Sequence, residues 1–247
     1  MFLPSPPAAS RIGFLKSGRY AHRGLHSGQA PLENSMGAFK AAMARGDGIE
    51  CDVRCSADGV VYVFHDKILD RLTEAMGTFS DLDSRTLDAL RLRGDNGTVP
   101  RLSTLLSLVN GAVPLLIELK IDTGEAVDTL CRAVTAELTH YQGPAAAMSF
   151  HPGVSRWFRM HAPDIVRGLV ATETGKGGLH TALSRYLAMR YAHPDFLAYD
   201  VRDLPSAFVA RVRNKGFPVT SWTVRTDKQW QAVHAYADAP IYEEQGE

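Results

Sequence analysis

Short apolar runs separated by amphipathic stretches are the main pattern along this chain of 247 residues. Eight runs have the length and composition of buried strands, and residues 240–242 are a candidate for a late addition. The eight runs lie near residues 18–22, 48–53, 60–64, 114–119, 145–150, 165–170, 196–200 and 217–224. Their number and spacing are those of a barrel.

Helical periodicity fills most of the intervals between these runs. The predicted helices cover residues 36–44, 124–138, 181–190, 206–214 and 228–236. Alternation of strand and helix predicts a parallel sheet with helices outside it, so we expect the α/β class and a single irregular (β/α)8 TIM barrel over residues 1–247. Residues 54–59 are too few for a crossover helix. Either the barrel lacks one helix, or the run at 60–64 pairs differently from the others.

Composition and charge exclude some classes of function. Lys plus Arg and Asp plus Glu number 27 each, so no global field favours nucleic acid, and no nucleic-acid partner is expected. Three cysteines, Cys51, Cys55 and Cys131, form neither an even set nor a CxxC pair, which indicates free thiols in a reducing compartment. Neither a signal peptide nor a transmembrane segment is evident, so we expect a cytoplasmic protein.

Polar clusters stand where four of the apolar runs end, and they carry the candidate chemistry. They are His22-Arg23-Gly24, Glu50-Cys51-Asp52, His65-Asp66 and Glu118-Leu119-Lys120. Residues i and i+2 of a strand share a face, so two strands would direct three carboxylates and one ammonium into one small volume. Barrel enzymes place their chemistry at these strand ends, which favours a catalytic role for His22 and His65.

The three carboxylates Glu50, Asp52 and Glu118 predict a site for one divalent cation. Hard oxygen ligands suit Mg²⁺ or Ca²⁺, with Mn²⁺ as a further option, better than Zn²⁺. The alternative is a set of salt bridges with Arg23 and Lys120, but three carboxylates need more cations than the neighbouring positions supply. We therefore expect Arg23 and Lys120 to bind substrate phosphate, Arg23 as a fork and Lys120 as a compact charge. Together these features indicate a metal-assisted phosphodiesterase.

A longer series of segments resembles the glycerophosphodiester phosphodiesterase family in the family's order. The matching segments are Ala21-His22-Arg23-Gly24, Glu33-Asn34-Ser35, Ile49-Glu50-Cys51-Asp52-Val53, Asp58-Gly59 with Val63-Phe64-His65-Asp66, Leu69-Asp70-Arg71, Ile117-Glu118-Leu119-Lys120, Ser149-Phe150 and Ser221-Trp222-Thr223-Val224. The chain departs from the family pattern at Leu32, Ser35, Leu72 and Arg225. None of these departures removes a predicted ligand or a predicted catalytic histidine.

The resemblance implies hydrolysis of a glycerophosphodiester to glycerol 3-phosphate and an alcohol. The sequence does not decide which histidine is the acid and which is the base, and we assign His65 as base and His22 as acid. It also implies that Phe150 and Trp222 contact this small-molecule substrate, Trp222 as a wall against the glycerol moiety. Residues 66–113 resemble the family's insertion after the third strand, a small subdomain expected over the mouth of the site. The resemblance favours the missing helix over a different pairing of residues 60–64.

Two other functions fit the same residues. A lysophospholipase D or a sphingomyelinase D-like lipid phosphodiesterase would keep the site and add an apolar groove, for which Phe79, Leu82, Leu90 and Leu92 are candidates. A catalytically silent metal-binding scaffold is the third option, and the intact set of site residues argues against it. The leaving alcohol, the preferred metal and the oligomeric state do not follow from the sequence.

Overall fold

The computed structural model describes residues 3–27, 31–94, 97–173 and 178–244, with side chains on the seventh helix described from residue 183 onward. Nine strands run through these residues. They are β1 Tyr20–Ala21, β2 Gly48–Cys55, β3 Val61–Val63, β4 Leu115–Leu119, β5 Ala145–Ser149, β6 Val166–Ala171, β7 Phe196–Asp200, β8 Val219–Val224 and β9 Ala239–Tyr242.

Helices alternate with most of the strands. They are α1 Ala9–Ile12, α2 Met36–Ala44, α3 Ser84–Ala89, α4 Leu102–Val109, α5 Val127–Leu138, α6 Pro152–His161, α7 Gly178–Ala192, α8 Ala207–Asn214 and α9 Asp227–Tyr236, with 3-10 turns at Gly13–Lys16, Phe79–Asp81 and Val201–Asp203. The five predicted helices are all present. The bounds of α2 are as predicted, because Ser35 is its N-cap and accepts a hydrogen bond from the amide of Ala38.

The strands form a TIM barrel of eight parallel strands with helices between them, as the alternation predicts. The order in the sheet is β1-β9-β8-β7-β6-β5-β4-β2-β3, and β1 also pairs with β2. The eighth parallel strand is β9, at the position of the late addition.

The strand β3 corrects one prediction, since it pairs antiparallel with β2 in the register Val53↔Val63 and Cys55↔Val61. The run at 60–64 is therefore not a parallel barrel strand, and the interpretation as a missing helix is wrong. A hairpin needs only a short turn where a parallel connection needs a crossover. Gly59, at φ +87°, provides that turn.

The described part of the chain divides into two compact units, and the first comprises Ala21–Ala145. Within it, the segment after β3 shares an apolar core with β3 and with the loop before α2. The members of this core are Leu32, Tyr62, Phe64, Leu69, Leu72, Phe79, Leu87, Leu92 and Val99. Phe64, which directly follows β3, stacks on Phe79 of the insertion with ring centroids 5.0 Å apart. Two departures from the family pattern, Leu32 and Leu72, are core residues.

The second unit comprises Met1–Tyr20 and Ala146–Gln245. Its strands β5 to β9 form a continuous parallel ladder, in which Gly168 pairs with Phe196. A Cβ at Gly168 would lie 2.3 Å from the Phe196 ring, so a glycine is needed for this close packing. Among the described residues, none of the helices combines the length with the apolar composition that crossing a membrane requires.

Candidate active site

Three buried carboxylates on two neighbouring strands form the centre of the candidate site. Glu50 and Asp52 alternate along β2, and Asp52 pairs with Glu118 of β4 in the parallel register. One oxygen from each carboxylate lies within 4.8 Å of the other two. These distances confirm the prediction that the three side chains share one small volume. The physical reason is that i and i+2 positions of a strand share a face and that the ladder places Glu118 beside Asp52.

Two cations compensate part of this negative charge. The Lys120 ammonium lies 2.8 Å from Asp52 Oδ1 and 2.6 Å from Glu118 Oε1, and Arg23 Nε lies 3.0 Å from Asp52 Oδ2. Burial alone would raise the pKa of Asp52, but the charges of Lys120 and Arg23 outweigh burial and hold it below its ordinary value. Asp52 is thus an anion clamped between two cations.

The negative charge of Glu50 is compensated much less than that of Asp52. Burial, followed by the charges of Asp52 and Glu118, raises its pKa well above the ordinary value. Its Oε1 atom is buried and, within the described part of the chain, has no hydrogen-bond partner. A buried carboxylate oxygen without a donor is costly unless a cation binds it. The donor set, three carboxylates with one unsatisfied oxygen, therefore fits a hard divalent cation.

The His22-Arg23-Gly24 segment follows β1 and turns sharply toward these carboxylates. Arg23 adopts φ +56° and donates its amide to Glu50 Oε2 at 3.0 Å, and His22 Nε2 lies 3.8 Å from the same oxygen. Gly24 adopts φ +79°, and a Cβ there would lie 2.8 Å from the Cβ of Ala38 on α2. The glycine therefore lets the loop pass close to the helix while the two preceding side chains reach the site.

His65 follows β3 and is held at both its backbone and its ring. The adjacent Phe64 amide donates to the Asp52 carbonyl at 2.9 Å, and Arg54 Nε donates to the His65 carbonyl at 2.9 Å. The ring Nδ1 lies 2.7 Å from Asp66 Oδ1. Although β3 is antiparallel to β2, the short hairpin places His65 in the same compact unit as the carboxylates.

Several residues of the site had no predicted role. Asn34 adopts φ +55°, donates from Nδ2 to Asp52 Oδ2 at 3.0 Å, and accepts the Asp52 amide at 3.3 Å. Arg54 pairs with Asp122 at 2.8 Å. The sequence signal for Asn34 was its place in the Glu33-Asn34-Ser35 segment; for Arg54 it was the continuation of the i, i+2 series beyond Asp52.

Glu33, Asp66 and Arg71 form an ionic network that the sequence analysis also missed. Arg71 binds Asp66 through Nε at 2.6 Å and binds Glu33 through Nη2 at 2.7 Å. Glu33 in turn accepts a hydrogen bond from Arg23 Nη1 at 2.8 Å. The network consequently joins residues from the loop after β1, the loop after β3 and the insertion.

The two aromatic residues predicted to bind substrate, Phe150 and Trp222, contact each other in the second unit. Their rings meet edge to face with centroids 5.4 Å apart. Phe150 is 45% exposed, and among described residues the buried Trp222 Nε1 has no hydrogen-bond partner. The structure therefore brings these two side chains together in the second unit. The other predicted site residues lie together in the first unit, and they are His22, Arg23, Glu50, Asp52, His65, Glu118 and Lys120.

Comparisons with known proteins agree with the chemistry of this site. The profile of the Glycerophosphoryl diester phosphodiesterase family matches residues 22–242. A probable glycerophosphodiester phosphodiesterase 2 of Mycobacterium tuberculosis is 30% identical over 89% of this chain and 85% of its own length. Glycerophosphodiester phosphodiesterase 1 of Bos taurus is 27% identical over 87% of this chain and 74% of its own.

Solved structures share the fold. A phosphodiesterase of Oleispira antarctica, in complex with the product sn-glycerol-3-phosphate, aligns with a TM-score of 0.79 at 22% identity over 94% of both chains. A putative glycerophosphoryl diester phosphodiesterase of Silicibacter pomeroyi aligns with a TM-score of 0.78 at 23% identity, over 94% of this chain and 93% of its own. The chain belongs to the Glycerophosphoryl diester phosphodiesterase family and is a phosphodiesterase.

Proposed function

We propose that the protein hydrolyses glycerophosphodiesters to glycerol 3-phosphate and an alcohol with one divalent cation bound by Glu50, Asp52 and Glu118. The observation that carries the proposal is the buried cluster itself, whose Glu50 Oε1 has no hydrogen-bond partner among described residues. The family membership supports the reaction, and the Oleispira antarctica relative holds the corresponding product. A bound cation would supply positive charge against a phosphoryl oxygen and lower the pKa of an oxygen bound to it.

Arg23 and Lys120 are the phosphate-binding residues in this proposal. Both are largely buried beside the carboxylates, with side chains 17% and 15% exposed. A guanidinium presents two donors in a fork, and an ammonium presents a compact charge. Held in place before substrate arrives, they stabilise the negative charge that builds on the phosphoryl oxygens in the transition state.

His65 is the proposed general base. A hydrogen bond from its Nδ1–H to Asp66 leaves the Nε2 lone pair available for a proton. Burial lowers the pKa of His65, and the nearby cations Lys120 and Arg23 lower it further while the Asp52 charge opposes them. The lowered pKa favours the neutral ring, which accepts the proton of the attacking oxygen; that oxygen belongs to water or to the neighbouring glycerol hydroxyl.

His22 is the proposed general acid. As the bond from phosphorus to the leaving oxygen breaks, the imidazolium donates its proton to that alkoxide. The Nε2 atom is 3.8 Å from Glu50 Oε2, so a proton on this nitrogen faces a carboxylate. The displacement leaves His65 protonated and His22 neutral. If the glycerol hydroxyl attacks, water then opens the resulting cyclic phosphate and both proton transfers run in reverse; if water attacks directly, proton exchange with solvent restores both rings.

Simple diesters are the proposed substrates, with Phe150 and Trp222 as the apolar wall of the glycerol site. The residues that could have formed an acyl groove support this choice, since Phe79 and Leu92 are buried in the core of the insertion. Leu82 and Leu90 pack against the same core. We also propose that residues 66–113 lie over the mouth of the active site. The ion pair between Arg71 of this segment and Glu33, which in turn binds Arg23, supports this position.

A cytoplasmic location completes the proposal. It is supported by Cys51, Cys55 and Cys131, which are all free thiols. Cell fractionation with an antibody to the protein tests it, and recovery with a membrane or secreted fraction would contradict it.

The decisive experiment is an assay of glycerol 3-phosphate release from glycerophosphocholine and glycerophosphoethanolamine. The protein is assayed in EDTA and then with Mg²⁺, Ca²⁺ or Mn²⁺ restored. We expect cation-dependent release, and a loss of about 10² to 10⁴ in kcat for His22→Ala and for His65→Ala. The matched control is His140→Ala, at an exposed histidine outside the site, which should retain full activity.

Thermal unfolding of each variant separates loss of chemistry from loss of fold. Full activity in EDTA would overturn the role of the cation. Absence of release from a folded protein with all three cations would overturn the choice of simple diesters as substrates.

A further inference from the structure

We propose that Arg71 is a positioning residue that holds the proton-transferring His65 and the phosphate-binding Arg23 in one fixed arrangement, acting through Asp66 and Glu33. The inference rests on the proposed function, which gives His65 and Arg23 their roles. It goes beyond that function because it assigns part of the catalytic geometry to the insertion, from which Arg71 comes.

The guanidinium of Arg71 binds two carboxylates at once. Toward Asp66, Nε lies 2.6 Å from Oδ2 and Nη2 lies 3.0 Å from Oδ1. Toward Glu33, Nη1 lies 2.9 Å from Oε2 and Nη2 lies 2.7 Å from Oε1. Two bidentate pairs on one planar group fix both the distance and the angle between the carboxylates.

Each of these carboxylates makes a further contact with a site residue. Asp66 Oδ1 lies 2.7 Å from His65 Nδ1, and Glu33 Oε1 accepts a hydrogen bond from Arg23 Nη1 at 2.8 Å. The chain of contacts therefore runs from Arg23 through Glu33, Arg71 and Asp66 to His65. It is the side-chain connection between the group that would bind phosphate and the group that would take the proton.

The exposure of Arg71 argues for orientation rather than for stability. Its side chain is 48% exposed, whereas those of Glu33 and Asp66 are 13% and 18% exposed. An exposed ion pair contributes little to folding stability, whereas bidentate geometry makes its arrangement specific. Loss of this geometry by about 1 Å at a reacting group can cost roughly 10²-fold in rate. Removing Arg71 should therefore lower kcat and leave folding stability nearly unchanged.

A lysine cannot replace this arginine. An ammonium offers a point charge and cannot form two bidentate pairs in one plane. Arg71→Lys should therefore retain the charge and lose the orientation, which separates an electrostatic role from a positioning role.

Steady-state kinetics of the cation-loaded enzyme with glycerophosphocholine tests the proposal. We expect Arg71→Met and Arg71→Lys to lower kcat by about 10- to 100-fold with little change in thermal midpoint. Asp66→Asn should lower kcat with KM unchanged, Glu33→Gln should raise KM, and Arg71→Met should do both. The matched control is Arg85→Met, at an exposed arginine of α3 in the same insertion, which should behave as wild type.

Two further kinetic results distinguish positioning from general damage. The Arg71→Met/Asp66→Asn double variant should be no slower than the slower single variant, because both break the same connection. Methylguanidinium added to Arg71→Ala should restore part of kcat, and should do nothing for Arg85→Met. Wild-type kcat in Arg71→Lys, or full additivity in the double variant, would overturn the proposal.

A measurement that needs no activity keeps the inference separate from the proposed function. In protein labelled with 15N-histidine, long-range 1H–15N spectra report the tautomer of His65, whose signals are assigned by their absence in His65→Ala. We expect the Nδ1–H tautomer in the wild type, and broadening or mixed tautomers in Arg71→Met and Asp66→Asn. If no diester is hydrolysed, the proposed function fails while these spectra still decide on positioning. An unchanged His65 signal in Arg71→Met would overturn the proposal.

Discussion

Two buried carboxylates, one in each compact unit, show opposite ways of placing a charge inside this protein. Glu50 on β2 and Asp200 at the end of β7 are each 1% exposed. Asp200 accepts hydrogen bonds from the amide, Nε and Nη2 of Arg202 and from the hydroxyl of Thr172. Glu50 accepts the Arg23 amide on one oxygen, and the other has no hydrogen-bond partner among described residues.

The pKa values of the two groups move in opposite directions for this reason. Burial tends to raise both, and at Glu50 the neighbouring Asp52 and Glu118 raise it further. At Asp200 the hydrogen bonds of Arg202 and Thr172 outweigh burial, and the pKa lies below its ordinary value. A buried carboxylate with all its hydrogen bonds made stabilises a fold, whereas one that lacks them and lies among other carboxylates is typical of a functional site.

The largest expected effect is on activity. Glu50→Gln should lower kcat/KM for glycerophosphocholine by at least about 10²-fold, because it removes one of the three proposed ligands of the cation, and a bound cation would supply several kcal/mol of transition-state stabilisation. Asp200→Asn should have a much smaller effect, since its oxygens are already occupied by Arg202 and Thr172. Isothermal titration with Mn²⁺ should show weaker binding in Glu50→Gln alone. Equal loss in both variants would remove the distinction between the two carboxylates.

An effect of intermediate size is expected on folding stability. Asp200→Asn should lower the free energy of unfolding by about 1–3 kcal/mol, because it breaks charge-assisted hydrogen bonds inside the protein. In EDTA, Glu50→Gln should leave that free energy unchanged or raise it, since it removes repulsion from Asp52 and Glu118. Urea unfolding of both variants measures the difference. A larger loss for Glu50→Gln than for Asp200→Asn would show that Glu50 is a structural anion.

The smallest expected effect is on the pH dependence of stability in EDTA. Because the folded pKa of Glu50 lies above its ordinary 4.5, its stabilising contribution is complete below that pH and is lost as pH rises through the folded value. The contribution of Asp200 has the opposite sign: it is complete above the ordinary 3.8 and is lost as pH falls through its lower folded pKa.

Unfolding curves across a pH series therefore sharpen the comparison. Glu50→Gln should flatten the decline in stability on the alkaline side of pH 4.5, and Asp200→Asn should flatten the decline on the acid side of pH 3.8. The same pH profile in Glu50→Gln and the wild type would contradict the expected sign.

Local signals explain why most elements were predictable. Ser35 as an N-cap and the apolar periodicity behind it define α2, and the same kind of pattern predicts α5 and β4. The late run at 240–242 was predictable as a strand, although its place as the eighth parallel strand depended on its partner β8. The direction of β3 was not predictable from its apolar composition, because an antiparallel and a parallel strand of three residues look alike.

The candidate site, too, was predictable from the sequence only in part. The pair Glu50 and Asp52 follows from strand geometry, and the histidines from their places at strand ends. The bridge from Glu33 to Arg71 spans 38 residues, and nothing in the sequence specifies which of many carboxylates an arginine will bind. Sequence motifs gave the position of Arg71 in the Leu69-Asp70-Arg71 segment without indicating that it reaches two loops.

By itself the sequence determined the residue types of the site, the alternation that directs Glu50 and Asp52 to one face, and the barrel class, because these depend on local geometry and periodicity. The tertiary structure alone decided that Glu118 lies opposite Asp52, that β3 turns back on β2, and that one oxygen of Glu50 has no hydrogen-bond partner among described residues. Those properties arise from the pairing of distant segments, and the compensation of a buried charge depends on every group that packs around it.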